Sequence, residues 1–214
     1  MDDQAQRSEL MSALVTEHFV LQTATSTSVN ESASRASLYL MSLSSALVAM
    51  GFVSQTRDAF VPFVATVLPG LFVMGVFTVF RLVDNAVENL QFLAGIARIR
   101  GYYRRLTPDA AEFFAPEDGR WPEPTTLAQR RGPLPLLFTS ASMIAFINSI
   151  VAGAGVALLA NRLLAGDQTG LAVLIGVAVA LALMTGFFTF QRRRYRVFDP
   201  RGGPWSATDP TTTD

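Results

Sequence analysis

Cysteine is absent from the 214 residues, and so is lysine, because all seventeen basic residues are arginine. Without a thiol the chain forms no disulfide, thiolate metal site or cysteine nucleophile, and its compartment cannot be read from redox chemistry. Without lysine it has neither a P-loop lysine nor a Schiff-base lysine, which excludes a retinal pigment. The simplest source of the all-arginine usage is codon bias in a G+C-rich genome; a functional demand for guanidinium is the alternative. Histidine occurs once, at His18, and charged residues make up only 16% of the chain against 50% hydrophobic ones. That balance is too apolar for an ordinary soluble domain and points to a membrane protein.

No catalytic constellation emerges from what is present. His18 has no cysteine and no convergent carboxylates beside it, so a transition-metal site is not expected. A general base at His18 oriented by Glu17 is disfavoured, because adjacent residues on a helix point apart. Asp84, Glu88, Asp109, Glu112, Glu117 and Asp118 stand at no recognised metal or phosphotransfer spacing. The expectation is a protein that is not an enzyme and takes no cofactor.

Four long apolar runs dominate the pattern. Residues 36–55 carry no formal charge and lie between Arg35 and Arg57; at 1.5 Å per residue they cover the roughly 30 Å of a hydrocarbon layer. Ser42, Ser45, Ala46 and Ala49 offer a small-residue face for close helix approach. Residues 59–80 follow after a break at Arg57 and Asp58, so tight that an antiparallel hairpin is expected. Pro69 with Gly70 predicts a kink in its middle. Residues 136–160 and 171–190 form a second pair around a short polar turn at 161–170. Ala145, Ser149, Gly153 and Ala157 stand four apart in the third run, as do Ala172, Gly176 and Ala180 in the fourth. Both ladders suit helix packing. Asn148 sits in the middle of the third run, where an unpartnered amide is costly, so it should face protein. An interhelical hydrogen bond is the reading preferred over a pore contact.

The rest of the chain is polar and rich in arginine. Residues 1–10 are acidic and lack a basic stretch ahead of an apolar core, unlike a secretory signal peptide. Leu10, Leu14, His18 and Leu21, with Met11, Val15 and Phe19 beside them, recur at helical intervals and predict an amphipathic helix over 9–24. Being acidic, it should meet a partner helix rather than a lipid surface. The Ser/Thr-rich stretch 23–34 reads equally as a linker or as a closely packed helix. Beyond Arg81 the helical period continues, with Val83, Ala86, Val87, Leu90, Leu93 and Ala97 on one side and Asp84, Glu88, Gln91 and Arg98 on the other. The second span is therefore expected to run on to about Tyr103. Arg98, Arg100, Arg104 and Arg105 around Tyr102 and Tyr103 suit anionic lipid headgroups or an anionic partner; nucleic acid is not expected. Thr107 and Pro108 start a short helix to about Phe114. Five prolines over 115–135 exclude a regular helix there. Residues 191–196, QRRRYR, read as a basic anchor, with Arg192, Arg193 and Arg194 on headgroups, before a Pro, Gly and Thr tail.

Arginine also sets the orientation. With four spans, both termini share a side with the segment 81–131, and fifteen arginines fall on that side against Arg57 and Arg162 on the other. The asymmetry predicts cytoplasmic termini. The organisation expected is a cytosolic helix and connector over 1–35, one transmembrane hairpin over 36–80, cytosolic helices and loop over 81–135, a second hairpin over 136–190, and a tail over 191–214.

The stretches EHFVLQTA from Glu17, RASLYL from Arg35 and RIRGYYRRL from Arg98 resemble small multi-pass membrane proteins of high-G+C bacteria. That resemblance spans most of the chain and implies no activity. A looser likeness is to small membrane effectors of bacterial nucleotide-signalling defence, which join an amphipathic cytosolic helix to a transmembrane hairpin; two additional spans and the lack of a diagnostic motif depart from them. The expectation is an all-α membrane protein of four transmembrane helices in two antiparallel hairpins, with an N-terminal amphipathic helix and a cytosolic extension of the second span. It would lie in a bacterial inner membrane and act by homo-oligomerisation or partner binding. The rival is an oligomeric channel or membrane-permeabilising effector, lined by Ser, Thr and Asn148.

Overall fold

Between Met1 and Met50 the chain contains neither glycine nor proline, so nothing in its backbone chemistry interrupts a helix once begun. In the computed structural model, which describes residues 2–114, 139–164 and 168–195, this stretch is one helix, α1, Asp2–Val53. The Ser/Thr-rich stretch 23–34 is thus helical and not a linker. The Thr23 hydroxyl at its start need not compete with the helix, since it donates to the Phe19 carbonyl one turn back at 2.9 Å, as Thr16 does to Ser12 earlier in α1.

The break after α1 lies earlier than Arg57 and Asp58. Ser54 to Thr56 form the turn, the Thr56 amide donating to the Val53 carbonyl at 2.9 Å, and Arg57 opens α2, Arg57–Arg104. Asp58 then stands in the first turn of α2, where a carboxylate is favoured by the helix dipole. Pro62 and Pro69 both lie inside α2, which continues as helix through both positions. Each proline deletes one ladder donor, which a helix of this length absorbs. α2 continues past Arg81 to Arg104.

Thr107 caps α3, Pro108–Phe113, its Oγ1 accepting from the Ala110 amide at 3.2 Å. Thr139 likewise caps α4, Ser140–Leu163, accepting from the Ser142 amide at 3.2 Å. α5, Thr169–Tyr195, extends beyond the expected end at 190, so Gln191 to Arg194 are its last turns rather than the start of a tail. The proline-rich stretch 115–135, the start of the third run at 136–138 and the tail 196–214 lie outside the described residues, with Arg120, Arg130 and Arg131 among them.

Every regular element among the described residues is a helix. Four of them are long and apolar enough to cross a membrane: Gln4–Val53, Asp58–Arg104, Ser140–Leu163 and Thr169–Tyr195. The described residues group into two units. One holds 2–31, 85–114 and Tyr195; the other holds 32–84, 139–164 and 168–194.

In the first unit α1 turns Met11, Leu14, His18, Leu21, Thr25 and Ser28 inward, at alternating spacings of three and four. From α2 it buries Asn85, Ala94, Ile96 and Ile99. None of those four was in the stripe read from the sequence, whose members Ala86, Val87, Leu90, Leu93 and Ala97 are half-buried. In the second unit the same spacing continues on α1 through Tyr39, Leu43 and Ala46, which are buried. Ser42 and Ala49 are half-buried beside this line and Ser45 is exposed, so the α1 contact face centres on Tyr39 and Leu43 instead of the serines. Outward-facing side chains of this unit are strongly apolar: Phe52, Phe77, Leu174 and Leu181 are each more than 60% exposed. A surface of that kind is unfavourable in water and suited to lipid.

Candidate functional site

Asn148 is the polar centre of the second unit. Its position on α4, one helix turn after Ala145 and next to Ser149, keeps it 5% exposed. Both ends of the amide are bonded to protein: Nδ2 donates to the Phe72 carbonyl on α2 at 3.2 Å, and Oδ1 accepts from the Tyr39 hydroxyl on α1 at 3.2 Å. Tyr39 itself is 1% exposed. Gly75, one turn along α2 from Phe72, makes room for this amide, since a Cβ there would fall on the Asn148 carboxamide. Three helices are therefore tied at one side chain.

The small-residue ladders come together between α4 and α5. A Cβ on Gly153 would lie 2.6 Å from the Gly176 carbonyl oxygen and 3.0 Å from the Ala180 Cβ; one on Gly176 would lie 2.8 Å from the Ala157 Cβ. Only glycine permits backbones this close. Ala145, Ser149 and Ala172 are buried in the same unit and Ala180 half-buried. The Ser149 hydroxyl is spent locally on the Ala145 carbonyl at 2.7 Å.

A second polar cluster went unnoticed in the sequence. Gln191 on α5 is completely buried; its Nε2 donates to Thr139 Oγ1 at 3.2 Å, and its Oε1 accepts from Ser142 Oγ at 3.4 Å. Next to three arginines it reads as part of a charged anchor, and nothing local marks it as core. Arg194 pairs with Asp84 on α2 where both side chains are partly exposed, an arrangement worth at most about 1 kcal/mol. Arg192 and Arg193 are exposed.

The first unit holds the other predicted residues. Ser28 Oγ donates to the Asn85 carbonyl at 3.0 Å, and Gly95 receives Leu21, whose Cδ1 lies 2.9 Å from where a Cβ would stand. Further along α2 Arg100 lies over the Phe114 ring, 5.7 Å from its centroid, and Tyr103 packs on the same ring at 5.3 Å. Arg98 and Arg105 are exposed, while Arg100 and Arg104 are half-buried. His18 is held below its ordinary pKa of 6.5, first by desolvation and then by the charge of Arg100. His18 Nδ1, Thr25 Oγ1, Asn89 Oδ1 and Tyr103 Oη are buried and find no hydrogen-bond partner among the described residues. Beside this seam runs an open groove of about 650 Å³, walled by Phe19, Val20, Thr23 and Thr27 of α1 and by Glu88 and Phe92 of α2. Phe19 and Val20 are 62% and 55% exposed.

Among the described residues no three histidine or acidic side chains converge as a metal site. Comparison of the chain with known protein families, with curated protein sequences and with solved structures gave no match.

Proposed function

We propose that this is a multi-pass protein of a bacterial inner membrane, with both termini cytoplasmic, that works by association with itself or a partner through its non-membrane helices and not by catalysis. Residues 36–53 of α1, 59–80 of α2, α4 and most of α5 cross the bilayer as two antiparallel hairpins. The contacts of Gly153 with Gly176 and the Tyr39 and Phe72 bonds to Asn148 support that pairing. The distribution of arginine supports the orientation.

The observation that carries the associative reading is the engagement of Asn148. A pore lined by this amide would leave its carboxamide facing water, whereas here both ends of it are consumed by protein groups at 3.2 Å. What is left for function is the groove beside Phe19 and Val20, an apolar surface outside the proposed spans. A photo-crosslinking amino acid in place of Phe19, activated in intact membranes, tests the reading. Adducts with a second copy of the chain or with one distinct protein are expected. Absence of any protein adduct, together with ion flux in liposomes that Asn148→Leu abolishes, overturns it in favour of the channel.

A further inference from the structure

A crevice of about 740 Å³ opens between α2, α4 and α5 in the second unit. Its walls are almost wholly apolar, with Phe60, Leu68 and Phe72 from α2, Ala152 and Val156 from α4 and Val179 from α5. Small residues on the α4 wall keep part of it low: Ala152 lines the crevice, and a Cβ on Gly155 would meet Leu68 Cδ1 at 3.4 Å. Polar groups line only the end formed by the last turn of α4, where Asn161 and Arg162 stand.

Length and charge fit one kind of occupant. From Phe60 to Phe72 the crevice follows α2 for about 18 Å, twelve residues at 1.5 Å each. The hydrocarbon of a single leaflet is about 15 Å deep. The charged end lies at the last turn of α4, where a headgroup would be, and the apolar lining runs from there to Ala152 near the middle of that helix, where acyl chains finish. Arg162 is one of only two arginines assigned to its side of the membrane, and it stands at the mouth of this crevice. We propose that the crevice binds one acyl chain of an anionic phospholipid whose phosphate is met by the Arg162 guanidinium. Arginine suits this task because its planar fork presents paired donors to phosphate oxygens.

The inference rests on the four helices lying in a bilayer, and the experiment separates the two. The full chain is reconstituted in phosphatidylcholine nanodiscs containing phosphatidylglycerol with a photoactivatable group midway along one acyl chain, and adducts are mapped by mass spectrometry. Adducts concentrate on Leu68 and Val156, with about a fivefold preference over phosphatidylcholine bearing the same label. Arg162→Gln removes the preference and leaves the adduct positions unchanged. Gly155→Leu, and independently Ala152→Phe, abolish crevice labelling while labelling of Leu174 and Leu181 persists. Equal labelling by the two lipids, adducts spread evenly over Leu174, Leu181 and the crevice, or a preference retained in Arg162→Gln each overturn the proposal. Protein that remains soluble without detergent overturns the membrane reading along with it.

Discussion

The Tyr39 hydroxyl donates to Asn148 Oδ1 across 109 positions of sequence, both side chains being almost completely buried. Removing either partner strands the other in an apolar interior. Tyr39→Phe and Asn148→Leu should each destabilise the protein by about 0.6–2 kcal/mol, and the double variant by less than their sum. Thermal unfolding in detergent of the four proteins of this cycle checks it; strict additivity would show that the bond contributes nothing.

Gly153→Leu should be more damaging than Asn148→Leu. Its Cβ alone would stand 2.6 Å from the Gly176 carbonyl, so α4 and α5 must separate before the rest of the side chain is placed. The expected result is a larger fall in melting temperature, or no folded protein, where Asn148→Leu still folds. A silent Gly153→Leu combined with loss of an ion flux in Asn148→Leu would replace the packing interpretation with the pore.

Gly75 and Asn148 should show second-site rescue. Gly75→Ala places a Cβ on the Asn148 carboxamide and should be destabilising in the wild-type background. Asn148→Ala vacates that volume, so the same substitution should be nearly neutral there. The measurement is again melting temperature in detergent, and equal losses in both backgrounds would dissociate the two residues.

His18 makes stability depend on pH in a defined direction. Its pKa in the folded protein is below 6.5, so the unfolded chain binds the proton more tightly. Stability contributed by neutral His18 is complete above pH 6.5 and declines as pH falls below that value toward the folded pKa. Arg100 is the charged group acting on it, and protonation would place two cations together. Unfolding followed from pH 8 to 5 should show a steeper acid loss in the wild type than in His18→Gln, which has no titrating group at that position.

Reporter fusions test the arginine argument directly. Reporters inserted between 117 and 126, and a fusion after Tyr195, should both register cytoplasm. A periplasmic signal from either is incompatible with four spans and an even number of crossings between them.

Some of this was legible in the chain and some was not, and the division follows local against non-local chemistry. The extension of α2 past Arg81 follows from unbroken helical periodicity, and the Thr107 cap ahead of Pro108 follows from which side chains can accept an orphan amide. The ladders at Gly153 and Gly176 are visible because close helix contact demands small residues every fourth position. The continuity of α1 through 23–34 was not legible, because hydroxyl residues are neutral between turn and helix until a partner surface is supplied. That surface includes the Asn85 carbonyl, 57 positions away from Ser28.

Composition and periodicity by themselves determined an all-helical chain, four apolar helices long enough to cross a membrane, and an exterior suited to lipid, since each depends on hydropathy and on backbone chemistry within a few residues. Only the tertiary structure decided that Asn148 is bonded to Tyr39 and Phe72, that Gln191 is core beside three arginines, and that Gly155 and Leu68 share the wall of an apolar crevice. A polar side chain looks the same in sequence whether it meets water, lipid or a partner. Its meaning is fixed by which distant atom lies within about 3 Å of it, because desolvation penalises the polar atom that finds none.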